Sequence, residues 1–131
     1  QGGRLSENYS ILDCVLDTHT NTFYVLDLMC WRGYLYYDCD LEFRRFWAQS
    51  KFAEECSADV VHPEHNPYAF RVLPHHRCDA AGLHAALTAE LPYARQCLLL
   101  YHAQTYYHVG GSCPLMCTLT LPEAEHLLLA T

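Results

Sequence analysis

The sequence predicts an α+β domain: an antiparallel, twisted sheet packed with about three helices. Three observations lead there. The run Phe23 to Cys30 is β-branched, aromatic and apolar almost throughout, as in a strand covered on both faces. Tyr24 to Trp47 then reads as one β-turn-β-α unit, with Arg32-Gly33 as its turn. Two further stretches, after Asp79 and after Pro122, carry helix signals of their own.

In order, Ser10 to Leu16 is expected to form a strand, and Asp17 to Asn21 a hairpin loop leading to the strand Thr22 to Cys30. Tyr34 to Tyr37 is a short returning strand. Asp38 or Asp40 can cap a helix over Leu41 to Phe52, where Phe43, Phe46, Trp47 and Ser50 share one face and Arg44, Arg45 and Gln49 face water. Ala53 to His65 is an exposed excursion, because acidic residues and proline break any apolar period. Ala69 to Leu73 is a short strand. Asp79 caps a helix with Leu83, Ala86, Leu87 and Leu91 at core spacing, ended by Pro92. Gln96 to His102 reads as a central strand and Leu115 to Leu121 as another, and Pro122 opens a last helix through Leu129.

The 131 residues suit one small domain, 1-131, with 1-8 as a flexible linker. Half-hydrophobic composition excludes disorder, and no apolar run approaches the about 20 residues that span a bilayer, so no membrane association is expected. A net charge of −7 with a single lysine, Lys51, argues against binding along an RNA backbone, which needs clustered cations. The pair Arg44-Arg45 reads as a solvated helix face.

Eight cysteines and nine histidines raise disulfide and metal readings. There is no Cys-x-x-Cys, and Cys14, Cys30 and Cys97 lie in apolar runs, where a thiol acts as a small buried hydrophobe. His62, His65, His75, His76 and Cys78 are the one close group of ligand-type residues; they sit in a proline-rich loop, read as solvated. No metal or cofactor is expected. Free cysteines point to a reducing compartment.

The segments Tyr9 to Cys14, Phe23 to Gly33, Tyr36 to Trp47, Asn66 to Phe70, Leu98 to Tyr107 and Gly111 to Leu115 together resemble the snurportin family, in order and spacing. Such proteins carry spliceosomal ribonucleoproteins into the nucleus by gripping the trimethylguanosine cap of their RNA. The resemblance implies the second half of a domain related to mRNA guanylyltransferases and DNA ligases, with catalysis lost. It further implies capped small nuclear RNA as a partner, and shuttling between nucleus and cytoplasm. Importin beta and the export receptor would be engaged through segments absent here, and a partner chain or an N-terminal half would cover an open strand edge.

Cap recognition has its own chemistry. Methylation at N7 makes the guanine ring cationic, so an aromatic face holds it by cation–π attraction and stacking, worth about 1–3 kcal/mol. The site residues expected are Trp31, Arg32, Tyr37, Gln104 and Thr118. Trp31, Tyr36, Tyr37, Tyr106 and Tyr107 are the available rings, with Trp31 at its turn the best candidate, and Arg32 can reach phosphate or pair with a carboxylate such as Asp27 or Asp38. Thr118 stands where the family has its stacking tryptophan, and threonine has no π-face. The chain lacks the Lys-x-Asp-Gly nucleophile context of nucleotidyl transfer, so no enzyme activity is expected.

Overall fold

The structure is a computed structural model and describes residues 9–54, 64, 66–104, 106 and 116–131. The linker 1-8, His62, His65 and most of the 53–65 excursion lie outside the described residues. Among the described residues the class is α+β, with three helices. The chain divides into two compact units, one of residues 1–73 and 103–109 and the other of residues 74–102 and 110–131.

The first unit is built on β2 (Thr22–Trp31), which pairs antiparallel with β1 (Ile11–Asp17) along one edge. On the other edge β2 takes β3 (Tyr34–Leu35) antiparallel at one end and β4 (Ala69–Val72) parallel at the other, so this sheet is mixed. The β1–β2 register skips Leu26 and Met29, which makes each the extra residue of a β-bulge. These bulges break the period of two in β2: Thr22, Tyr24, Val25, Asp27, Leu28 and Cys30 are all buried. Both bulge carbonyls find partners outside the β1 ladder. Met29 O accepts from the Tyr36 N–H at 2.7 Å, and Leu26 O from an Arg45 guanidinium N–H at 3.1 Å.

The β1–β2 loop is closed by Asp17, whose carboxylate accepts from the His19 N–H at 3.0 Å and the Thr20 hydroxyl at 2.9 Å. Asn21 takes φ 49° at its end, a conformation asparagine tolerates. Helix α1 (Leu41–Glu54) is capped by Asp40, not Asp38: its carboxylate accepts from the Phe43 N–H at 2.9 Å.

The buried face of α1 corrects the sequence expectation. Leu41, Arg44, Arg45 and Ala48 point inward, while Phe43 is 43% and Phe46 64% exposed. The cause is Asp27, a carboxylate inside an apolar strand, which requires a buried cation. Arg44 supplies it, 1% exposed, through Nε to Oδ1 at 2.8 Å and a terminal nitrogen to Oδ2 at 3.0 Å, and also donates to the Cys39 carbonyl. The Leu28 N–H donates to the same carboxylate at 2.8 Å.

Asp13 lies opposite Asp27 across the ladder. Desolvation, then the Asp27 charge, raises its pKa above the ordinary carboxylate value. A raised folded-state pKa contributes stability below the unfolded pKa that is lost as pH rises through the folded one. Asp13→Asn is therefore expected to raise the melting temperature at pH 7 and to remove part of the decline above about pH 4. Thermal melts of both proteins from pH 4 to pH 7 check this; parallel curves would contradict it.

In the second unit β5 (Cys97–Tyr101) and β6 (Met116–Thr120) form an antiparallel pair. Among the described residues β5 thus has one neighbour and is not a central strand. Helix α2 (Ala80–Thr88) stops before Leu91, and Arg95 donates to the Ala89 carbonyl just past its end. Helix α3 (Leu121–Leu129) starts with a capping box: Thr120 Oγ1 accepts from the Glu123 N–H at 3.2 Å and Glu123 accepts from the Thr120 N–H at 2.9 Å. Leu83 and Ala124 are the buried apolar residues of α2 and α3.

Gly82 of α2 is sterically required. A Cβ there would stand 1.9 Å from the Arg77 carbonyl oxygen. Alanine in a helix normally stabilises relative to glycine, but Gly82→Ala is expected to destabilise by about 1–3 kcal/mol. Urea denaturation reads the sign; a gain in stability would contradict the close approach.

Candidate cap-binding site

The hairpin that presents Trp31 and Arg32 is held rigidly. Trp31 pairs with Tyr34, and between them Arg32 at φ 47° and Gly33 at φ 87° form the left-handed pair of a type I′ turn. The start of β1 braces it: the Arg32 N–H donates to Ser10 Oγ at 3.0 Å and the Gly33 N–H to Tyr9 O at 2.8 Å. The Cys30 thiol points at the same Tyr9 carbonyl, at 3.5 Å. Arg32 is exposed, and the Asp27 carboxylate is engaged by Arg44.

Beyond β3 the chain turns through Tyr37, which is 46% exposed, with the Cys39 N–H donating to Tyr36 O at 3.0 Å. Gln104 is exposed and follows Ala103, whose carbonyl accepts from the Glu42 N–H in the first turn of α1 at 3.2 Å. Trp31, Arg32, Tyr37 and Gln104 therefore all belong to the first unit. Thr118 belongs to the second, on β6 opposite Leu99, and is exposed.

Aromatic contacts organise the first unit. Trp31 meets Phe52 edge-on at 5.3 Å, Phe52 stacks with Phe70 at 6.4 Å, and Phe70 with Phe23 at 5.2 Å. A second group joins Tyr36, Phe43 and Trp47. Tyr36 lies 5.2 Å from Trp47 and 6.0 Å from Phe43, and the Phe43 and Trp47 rings are nearly parallel at 6.1 Å. The Lys51 ammonium sits over the Trp47 ring, 4.6 Å from its centroid. Of this second group the sequence singled out only Tyr36 as an available ring. The signal for the group is the spacing Phe43, Trp47, Lys51, a stripe of every fourth residue on one helix.

Burial raises the pKa of two thiols. It pushes Cys14 up to about 11, with the Asp13 charge adding to the effect, and it raises Cys39, with Asp38 adding. Tyr36 is raised as well, by desolvation first and then by Cys39 and Tyr34. The six cysteines among the described residues carry free thiols. His75, His76 and Cys78 are exposed, and no group of three or more metal-type ligands converges among the described residues.

The arrangement offers cation-accepting rings, an arginine at a rigid turn and polar groups at the start of α1. Comparison with known protein families matches residues 1–120 of the 131 to one described as Snurportin1, m3G cap-binding domain. With nine-tenths of its length covered by that match, the chain belongs to the snurportin m3G cap-binding domain family.

Proposed function

We propose that this chain is a non-catalytic RNA cap-binding region, recognising the trimethylguanosine cap of small nuclear RNA within a nuclear import adaptor that shuttles between cytoplasm and nucleus. The family match over residues 1–120 carries this reading. The physical chemistry agrees with it. A chain of net charge −7 is poorly suited to a polyphosphate track but is compatible with a compact ligand whose base is a cation. Lys51, the chain's single lysine, is engaged with Trp47 and, at 3.2 Å, with Glu54, an arrangement that supports a non-catalytic role. Isothermal titration with a trimethylguanosine cap dinucleotide should give saturable binding; no heat at ligand concentrations up to the millimolar range would sink the proposal.

One observation favours a second reading, a protein-interaction module that keeps the fold without the cap. Thr118 is an exposed residue with no ring to stack. The two readings separate on Thr118→Trp. Added stacking is worth about 1–3 kcal/mol, so a cap site predicts about a tenfold or greater gain in affinity for the dinucleotide. No gain would favour the interaction module.

A further inference from the structure

We propose that the outer stripe of α1 is a docking surface for an arginine-bearing segment of a partner protein. This is an activity separate from cap recognition and uses a different face of the chain.

Helical periodicity places Phe43, Phe46, Ser50, Ala53 and Glu54 on the side of α1 opposite the buried Leu41, Arg44, Arg45 and Ala48. Two large rings on that side stand in water, Phe43 at 43% and Phe46 at 64% exposure. Single exposed apolar residues are ordinary, but rings grouped on one helix and rimmed by polar residues mark an interaction face.

Charge selects the occupant. Arg44 and Arg45 are turned into the core and the Lys51 ammonium lies over the Trp47 ring, so the cations of α1 are withdrawn from this face. The carboxylates are not. Glu42 is exposed in the first turn, and Glu54, whose side chain is 65% exposed, stands at the other end, about 18 Å along the axis. Exposed rings bracketed by carboxylates suit guanidinium groups, which stack on aromatic faces and fork onto carboxylate oxygens. Lys51 over Trp47 shows a ring of this helix already holding a cation. Glu54 can accept further donors beside Lys51, since an ionised carboxylate offers about four acceptor sites. A second copy of the chain fits poorly, because it would bring the same carboxylates and a net charge of −7 to this face. An anionic membrane or a nucleic acid is disfavoured by the same charge.

The test uses a fluorescein-labelled peptide with paired arginines at each end of an alternating leucine and alanine core, titrated with the chain at about 0.15 M salt and followed by anisotropy. Saturable binding is expected, and at least about threefold weaker binding when lysines replace the arginines. Phe46→Ser should weaken binding about tenfold and Glu42→Gln about threefold. Because Phe46 is exposed, its replacement should leave the melting temperature unchanged. The trimethylguanosine cap dinucleotide should not compete with the peptide. Equal binding by the unmutated chain and Phe46→Ser would overturn the proposal, since it would reduce the peptide to general attraction to an acidic chain. Equal affinities for the arginine and lysine peptides, with Glu42→Gln also unchanged, would overturn it whether or not Phe46→Ser folds. Competition by the dinucleotide would overturn it by making the stripe part of the cap site. A dimer of the chain that Phe46→Ser dissolves, or no saturation at millimolar peptide, would overturn it too.

Discussion

Asp27→Ala is expected to destabilise the chain by about 3–5 kcal/mol, a large share of the stability of a small domain. The substitution strands two groups at once. Arg44 keeps a guanidinium that is 1% exposed and loses its counter-ion, and the Leu28 N–H loses its acceptor. Arg44→Ala should cost a similar amount by stranding the Asp27 carboxylate beside Asp13. Removing both charges is a different matter, because a buried pair gives back in attraction little more than its desolvation costs. Asp27→Leu with Arg44→Met should therefore recover much of the loss suffered by either single change. Denaturant unfolding of the two singles and the double forms a cycle that checks this; singles that cost less than about 1 kcal/mol would mean the pair is not buried as described.

Arg45→Met should cost about 2–3 kcal/mol through a different mechanism. The guanidinium donates to Leu26 O at 3.1 Å and to Leu73 O at 2.8 Å, joining the bulge of β2 to the end of β4. Methionine fills comparable space and leaves both carbonyls without that donor, and an unsatisfied buried acceptor costs about 1–3 kcal/mol. Since Leu26 is the bulge residue, its neighbour β1 cannot supply a substitute bond. Faster amide exchange at Leu73, whose N–H donates to Val25 O at 3.0 Å, would locate the damage at the β2–β4 junction. Exchange unchanged there, with stability unchanged, would contradict the clasp.

These two arginines mark the limit of what the sequence disclosed about the fold. The hairpin Ile11–Trp31, the Arg32-Gly33 turn and all three helices were legible, because each rests on a local signal: a β-branched run, a residue pair suited to positive φ, a capping side chain. The facing of α1 was not. Phe43, Phe46 and Trp47 look like a core stripe, and two adjacent arginines look solvated, as they are in most helices. What reverses the helix is a long-range partner, Asp27, seventeen residues upstream. An aspartate in an apolar strand was the available clue, since such a group needs a buried cation.

The site shows the same division. Trp31 and Arg32 were visible because they flank a turn, and Tyr37 and Gln104 prove to lie in the same unit as that turn. Thr118 lies in the other unit, and its relevance comes from the family pattern alone. The Trp47 cluster escaped notice because its rings were assigned to the core. The exposure of Phe43 and Phe46 follows from the arginines taking the inner face of α1, so the same buried charge that fixes the fold turns those two rings outward.

Recognition of a methylated cap depends on the charge of its base. Calorimetric titration of the unmutated chain with trimethylguanosine and unmethylated guanosine cap dinucleotides, matched in phosphates and second nucleotide, isolates that charge. A cation on an aromatic face contributes about 0.5–2 kcal/mol, and the exocyclic methyls add apolar contact. The trimethylated ligand should therefore bind at least about tenfold more tightly. Equal affinities, or a preference for the unmethylated ligand, would contradict cap recognition by this chain.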